Sequence, residues 1–468
     1  MHFLFPTKNY SSFDVFLRSM KKYLFLLLSL KPSIYLTMKK LSILLILLLF
    51  LCIDAYSQKV AYAVFKDSTL TFYYNDKKPK GAYDVEKMVT IQLDHGGDSY
   101  VKEWEPVCRQ IKTAVFDNSF KKYRPKSCSR WFAGCENLTS IIGIKENLNT
   151  SEVTDMKRLF AWCESLTNID VSSFKTYNVT NMEGMFSGCK ELTSIDVSGF
   201  NTENVTDMEG LFIGCENLTH LDVSGFKTYN VTNMASMFDK CEKLTSLDVS
   251  SFNTDNVTTM RDMFLFCKNL TTLDVSGFST RKVTDMYLMF KGCSKLTSLD
   301  VSGFKTYNVT NMASMFAGCR NLSSLDVSRF KTDKVTDMSI MFAGCESLTS
   351  LDVSGFNTEN VADMGGMFRG CKKLTSLDIS GFNTENVTNM WNMFSGCENL
   401  KTIYVGDRWN TNSLSIGYGW IGSVGLFENC PNLVGGKGTK YDPSHTDASY
   451  AHIDGGESNP GYLTKKTK

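Results

Sequence analysis

Apolar and polar positions in this chain alternate on two periods within one short segment. In Leu192-x-x-Ile195-x-Val197-x-x-Phe200 the apolar residues bracket Asp196 and Ser198. Alternation of period two predicts a short strand with one face inward. Just before it, Met182, Met185, Phe186 and Cys189 stand at i, i+3, i+4 and i+7, the stripe of a short helix. Thr180 with Glu183, and Thr206 with Glu209, have capping-box spacing at its start. Gly188 stands where such a helix would end in a left-handed residue. Trp162, Lys240 and Phe266 replace that glycine, so positive φ is not expected to be obligatory there.

The two segments form one repeat of 26 residues, marked by a cysteine at each interval from Cys163 to Cys397. A fixed period of this length is the signature of an architecture in which each repeat contacts its neighbours. One repeat alone buries too little apolar surface to offset the entropy of ordering it, so repeats must stack and the ends need caps. The expected fold class is an α/β solenoid: a leucine-rich repeat with a parallel strand and a short helix per 26-residue repeat, plus N- and C-terminal caps. The position of the usual Asn or Cys in such repeats is taken here by Phe, as at Phe174, Phe200 and Phe226. Successive strands would lie about 4.8 Å apart.

The predicted organisation follows from where the repeat fails. Residues 1–37 read as a non-native N-terminal extension and 38–57 as a signal peptide, with Lys39 and Lys40 ahead of the apolar run 41–53 and small residues before Gln58. Residues 58–134 form an N-terminal cap with a β-hairpin, in which 61–65 and 69–74 flank Lys66, Asp67 and Ser68. The repeats occupy 135–405 and the C-terminal cap 406–468, entered by a displaced half-turn at Leu426, Phe427, Cys430 and Leu433. A formal net charge of +1 over 468 residues argues against nucleic acid or an anionic membrane as partner. Membrane contact is expected only through the signal peptide or, less favoured because Leu51 is bulky, a lipid anchor at Cys52.

Nine aspartates follow the second aliphatic residue of successive strands: Asp170, Asp196, Asp222, Asp248, Asp274, Asp300, Asp326, Asp352 and Asp378. Strand alternation puts them outward on the concave face beside Ser194, Ser198 and their equivalents, a candidate ligand-binding stripe bounded by Ile142 and Tyr404. Unit charges about 5 Å apart in water repel by about 0.8 kcal/mol. That repulsion predicts raised carboxylate pKa values and a bound cation or basic partner. The competing account is that solvent, hydroxyl neighbours and salt make the stripe tolerable and duplication merely copied it.

The cysteine ladder reads as buried free thiols, because stacked side chains point the same way at a spacing too wide for bridging. Cys108 and Cys128 fall outside it and form the one nominated disulfide. The absence of C-x-x-C argues against zinc, and no cofactor is expected. Asn178, Asn204, Asn230, Asn256, Asn308 and Asn386 head Asn-Val-Thr triplets, whose expected role is to start the helix rather than to carry glycan. Thr176 and its counterparts, two after each Phe, are expected to satisfy loop backbone groups. His445 and His452 lie among Asp442, Asp447 and Asp454 without the spacing of a known ligand set, so capping-loop chemistry is favoured over metal. No nucleophile motif or phosphate loop occurs, so the chain is not expected to be an enzyme.

Repeats of the form Cys-x-Asn-Leu-Thr-Ser-Leu-Asp-Val-Ser-Gly-Phe-Asn-Thr-x-Asn-Val-Thr-Asp-Met resemble those of the BspA-like leucine-rich repeat surface proteins, and of the related repeat family of mycoplasma lipoproteins. The flanks around Ala61 to Tyr74 and Tyr441 to Gly456 resemble that family's ends as well, so the likeness covers residues 60–464. It implies a bacterial protein, secreted or held at the cell surface, that serves as an adhesin or protein-binding scaffold toward host extracellular matrix or cell-surface proteins. The alternative is a passive structural surface protein without a defined ligand; an enzyme or enzyme inhibitor is a distant third.

Overall fold

The β-hairpin forms where two apolar runs flank a tight turn. Asp67 and Ser68 both take positive φ, at 49° and 61°, as a type I′ turn requires. The structure is a computed structural model that describes residues 59–92, 98–414, 416–417 and 420–467. The signal-peptide segment and Cys52 lie outside the described residues. The chain divides into two bodies, 1–60 with 75–78, and 61–74 with 79–468. Of the first only 59–60 and 75–78 are described, and the account below concerns the second.

Strands β1 (Val60–Lys66) and β2 (Thr69–Asn75) make the hairpin, and β3 (Tyr83–Asp84) pairs antiparallel with β1. The strands β4 (Met88–Gln92) and β5 (Asp98–Lys102) form a separate antiparallel pair. On its other edge β2 pairs parallel with β6 (Thr113–Phe116), and β6 with β7 (Ser140–Ile142). The sheet order β3-β1-β2-β6-β7 thus converts an antiparallel hairpin into parallel stacking. A one-turn helix, α1 (Ile144–Asn147), follows β7. Phe72 anchors this cap, stacked on Phe116 at 4.7 Å and on Trp131 at 5.5 Å.

From Cys128 onward the backbone of each repeat bonds to the next. Met182, Gly184, Phe186 and Gly188 donate their N–H groups to the carbonyls of Asp207, Glu209, Leu211 and Ile213 at 2.7–3.0 Å. The residues between close short turns: Met185 N–H to the Met182 carbonyl at 3.1 Å, Cys189 N–H to that of Phe186 at 3.2 Å. The same pattern continues to Gly396, whose N–H reaches the Glu428 carbonyl at 2.7 Å. No helix therefore stands where the Met182, Met185, Phe186, Cys189 stripe predicts one. An α-helix sends its interior N–H groups back along its own chain; here alternate groups go sideways. The stripe is nonetheless fully buried, so its periodicity reports burial and not the backbone path.

The conformation behind this ribbon overturns the expectation about Gly188. Two residues per repeat, four apart, are left-handed whatever their side chain: Gly184 and Gly188, but also Arg158 and Trp162, Ser236 and Lys240, Asp262 and Phe266. Leu288 and Ile340 hold φ of 58° and 59°, a conformation that costs an L-residue roughly 1–2 kcal/mol. Positive φ recurs at both positions in every repeat, alternating with right-handed or extended residues along the ribbon whose N–H groups reach the neighbouring repeat. The capping box expected at Thr180 and Glu183 does not form either, and an Asx turn at Asn181 stands in its place. Thr180 Oγ1 donates to the Thr154 carbonyl at 3.2 Å, and Asn181 Oδ1 accepts the Glu183 N–H at 2.8 Å.

Regular parallel strands appear in β8 (Ser376–Ile379) and β9 (Thr402–Val405). Among the equivalent segments of the earlier repeats, Ser194 and His220 share an isolated bridge, and a few others are joined by single bonds such as Thr271 N–H to the Thr245 carbonyl at 3.2 Å. Phe174 and Phe200 stack 6.5 Å apart beside those segments, against 5.7 Å for Phe160 and Phe186 on the turn side. Both exceed the ~4.8 Å of a ladder, and the wider value lies where regular pairing is missing. A further short pair, β10 (Ile416–Gly417) and β11 (Trp420–Ile421), precedes β12 (Leu463–Lys465), which adds a parallel strand to β9.

Buried threonines tie the loops together, in the role expected of Thr176. Thr202 Oγ1 donates to the Lys227 carbonyl at 3.1 Å and accepts the N–H of the same residue at 2.7 Å. Thr280 does the same with Lys305, at 3.2 and 2.6 Å. The sequon asparagines point their amides backward instead of starting a helix: Asn204 Nδ2 reaches the Tyr177 carbonyl at 2.7 Å.

Candidate functional site

An aspartate two residues before a serine can bond the serine's main chain and hydroxyl at once, bending the chain at a strand end. Asp196 Oδ1 accepts the Ser198 N–H at 3.0 Å and its Oγ–H at 2.6 Å. The arrangement recurs at Asp170, Asp222, Asp248, Asp274, Asp300, Asp326 and Asp352, each with the serine two residues on. At Asp378 the Ser380 N–H donates at 3.0 Å. All are exposed save Asp378, which is half-buried.

These carboxylates line up. Asp248, Asp274, Asp300, Asp326 and Asp352 border one groove, with Leu247, Leu273, Leu299 and Leu325 as its nearly buried floor. Their ionisation runs opposite to the expectation of raised pKa values. The Ser172 hydroxyl and amide, aided by Lys145, pull Asp170 down to about 2. Their own serines likewise hold Asp196, Asp222, Asp248, Asp274, Asp300 and Asp326 below the usual carboxylate range. Partial burial pushes Asp378 upward, but Ser380 and Lys466 more than offset it. Repulsion from Asp170 and Asp222 does act on Asp196, yet two short hydrogen bonds to the charged form outweigh a screened like charge.

Two residues at the ends of the row were not singled out by the repeat pattern. Lys145 Nζ, from α1, sits 3.0 Å from Asp170 Oδ2. Lys466 Nζ, just past β12, sits 3.0 Å from Asp378 Oδ2 and 4.7 Å over the Tyr404 ring. The available signal was a departure from the repeat at either end of the row, with Lys145 inside the expected repeat region at 135–405 and Lys466 in the C-terminal cap. Among the described residues, the seven aspartates between these ends have no ion-pair partner.

The cysteines from Cys108 to Cys430 are free and buried. In the ladder each thiol donates to a carbonyl of the preceding repeat, as Cys189 Sγ does to Phe160 at 3.2 Å. Burial pushes the Cys189 and Cys319 thiols up to about 12. The Cys108–Cys128 disulfide is not formed. Cys108 instead lies against Cys135 at the head of the ladder, and Cys128 lies within electrostatic reach of Lys102.

At the other end, Asp454 is 3% exposed and accepts from the Lys437, Thr439 and Gly456 N–H groups and the Thr439 hydroxyl at 2.7–3.1 Å. Asp442 and Asp447 bond their own Ser444 and Ser449, and His445 stacks on Tyr450 at 4.3 Å. Each of these side chains thus has a structural partner within the cap. Among the described residues no group of three or more His, Cys, Asp or Glu is placed to hold a metal ion.

Compared with known protein families, residues 126–246, 211–325 and 313–424 match the family described as Mycoplasma protein of unknown function, DUF285. The three matches overlap and together span the stacked repeats. A search of the curated proteins finds no match.

Proposed function

The chain belongs to the DUF285 family, whose description assigns no activity, and on that premise we propose that it is a protein-binding scaffold that works through its aspartate row. In this reading it is a leucine-rich-repeat solenoid related to the BspA-like surface proteins, exported to the cell exterior, where it adheres to host matrix or cell-surface proteins. The observation that carries the reading is the row itself. One outer oxygen per repeat is left open along a groove that spans at least five repeats. Many weak, identical contacts in a fixed array are suited to avidity.

The test is binding of the purified protein to wells coated with solubilised extracellular matrix. The variant Asp248→Asn/Asp274→Asn/Asp300→Asn is expected to lose at least tenfold in apparent affinity with an unchanged melting temperature. Equal binding by variant and wild type would overturn the reading and leave the passive surface protein in its place.

A further inference from the structure

Resting on that reading, we propose that the seven open aspartates, Asp196 to Asp352, are seats for lysine ammonium groups of a partner polypeptide, and that they take lysine in preference to arginine. The molecule already fills two such seats. Lys145 and Lys466 come from unrelated segments at opposite ends of the row, and each places Nζ 3.0 Å from the Oδ2 of the terminal aspartate. Both leave Oδ1 to the serine: Asp170 Oδ1 keeps the Ser172 N–H at 3.0 Å and Oγ–H at 2.6 Å. The interior seats have the same shape, without the lysine.

That shape determines which cation fits. Arginine binds carboxylates best as a planar fork on both oxygens, whereas lysine is a compact point charge that needs one. With Oδ1 held by two serine donors, only Oδ2 is open, so a fork would have to displace the serine to engage fully. Lysine loses nothing by the arrangement. The leucine floor between the carboxylates is nearly buried and offers the lysine stem an apolar bed, as the Tyr404 ring does for Lys466 at 4.7 Å. From Asp196 to Asp326 the serine bonds hold the carboxyls below their usual range, which keeps them ionised at neutral pH. The partner surface is therefore a lysine-rich stretch, laid across several repeats.

The experiment measures fluorescence anisotropy of three labelled peptides on the purified full-length protein at 50 mM salt: (Lys-Gly-Gly)6, (Arg-Gly-Gly)6, and the first with every lysine acetylated. The lysine peptide is expected to bind at least fivefold tighter than the arginine peptide, and the acetylated one not at all. In Ser250→Ala/Ser276→Ala/Ser302→Ala each Oδ1 loses its hydroxyl donor and keeps the main-chain N–H, which should shrink that preference while the protein still melts cooperatively. Lys145→Ala/Lys466→Ala, which uncovers two more seats, should tighten lysine-peptide binding. Failure of the lysine peptide to bind, or arginine binding as tightly as lysine in the wild type, would overturn the proposal. If selectivity is absent while the triple Asp→Asn variant still loses matrix binding, only the lysine assignment falls. If that variant keeps matrix binding, the scaffold reading falls with it.

Discussion

Thr280 carries an interaction that no hydrophobic pattern encodes. Its hydroxyl serves both main-chain groups of Lys305 while itself fully buried. Thr280→Val keeps the shape and strands both groups, so it should cost about 1–3 kcal/mol, read as a lower melting temperature that Thr280→Ser largely restores. Asp239 is the opposite case. It is 6% exposed and its Oδ1 has no partner, in a row where other repeats carry Ile213, Leu265 or Ala317. Burial pushes it up to about 7, Lys240 opposes this, and Asp262 and Glu242 add to it. A carboxyl raised in the folded state contributes stability that is complete below its unfolded value near 4 and is lost as pH rises through about 7. Asp239→Leu should therefore gain roughly 1–3 kcal/mol at pH 8 and little at pH 4, as measured by urea unfolding at the two pH values.

At the level of the element, the turn ribbon rests on its left-handed rows, and bulky residues there constrain the next repeat. A Cβ on Gly292 would stand 2.4 Å from the Phe266 ring, whereas one on Gly318 would meet nothing closer than 3.6 Å. Both glycines have positive φ, 76° and 73°, so both substitutions by alanine carry the same backbone penalty of roughly 1–2 kcal/mol. Gly292→Ala should lose more stability than Gly318→Ala, and Phe266→Gly should erase the difference in a double-mutant cycle. The ribbon was legible only in part. Met182, Met185, Phe186 and Cys189 point inward as their spacing requires, but that spacing fits a sideways-bonded ribbon as well as a helix. The replacements at Trp162, Lys240 and Phe266 argued against an obligatory left-handed residue, because propensity is a weak prior against a row of inter-repeat hydrogen bonds.

On the scale of the whole molecule, stability in a stack depends on its end pieces as much as on its repeats. The last Phe of the inner column, Phe427, meets Tyr462 edge-on at 5.2 Å, and β12 covers β9. Truncation after Pro460 removes both contacts and the Lys466 seat together. It should lower the melting temperature and open the terminal repeats to proteolysis, whereas Lys466→Ala alone should leave both unchanged. Cleavage that begins elsewhere in the stack would count against this closing role.

The amino-acid sequence by itself determined the length of the repeat, the set of side chains that go inside, and the single row in which the aspartates recur. These depend on the order of apolar and polar residues, which is local information. Only the tertiary structure decided where each N–H group finds its acceptor, and hence that the turn segment is no helix. It also decided that the aspartates from Asp170 to Asp326 are held charged by their own serines, that Cys108 meets Cys135 and not Cys128, and that a lysine at either end closes the row. All of these depend on what the neighbouring repeat or cap presents at hydrogen-bonding distance, and a periodic pattern carries no information about that distance.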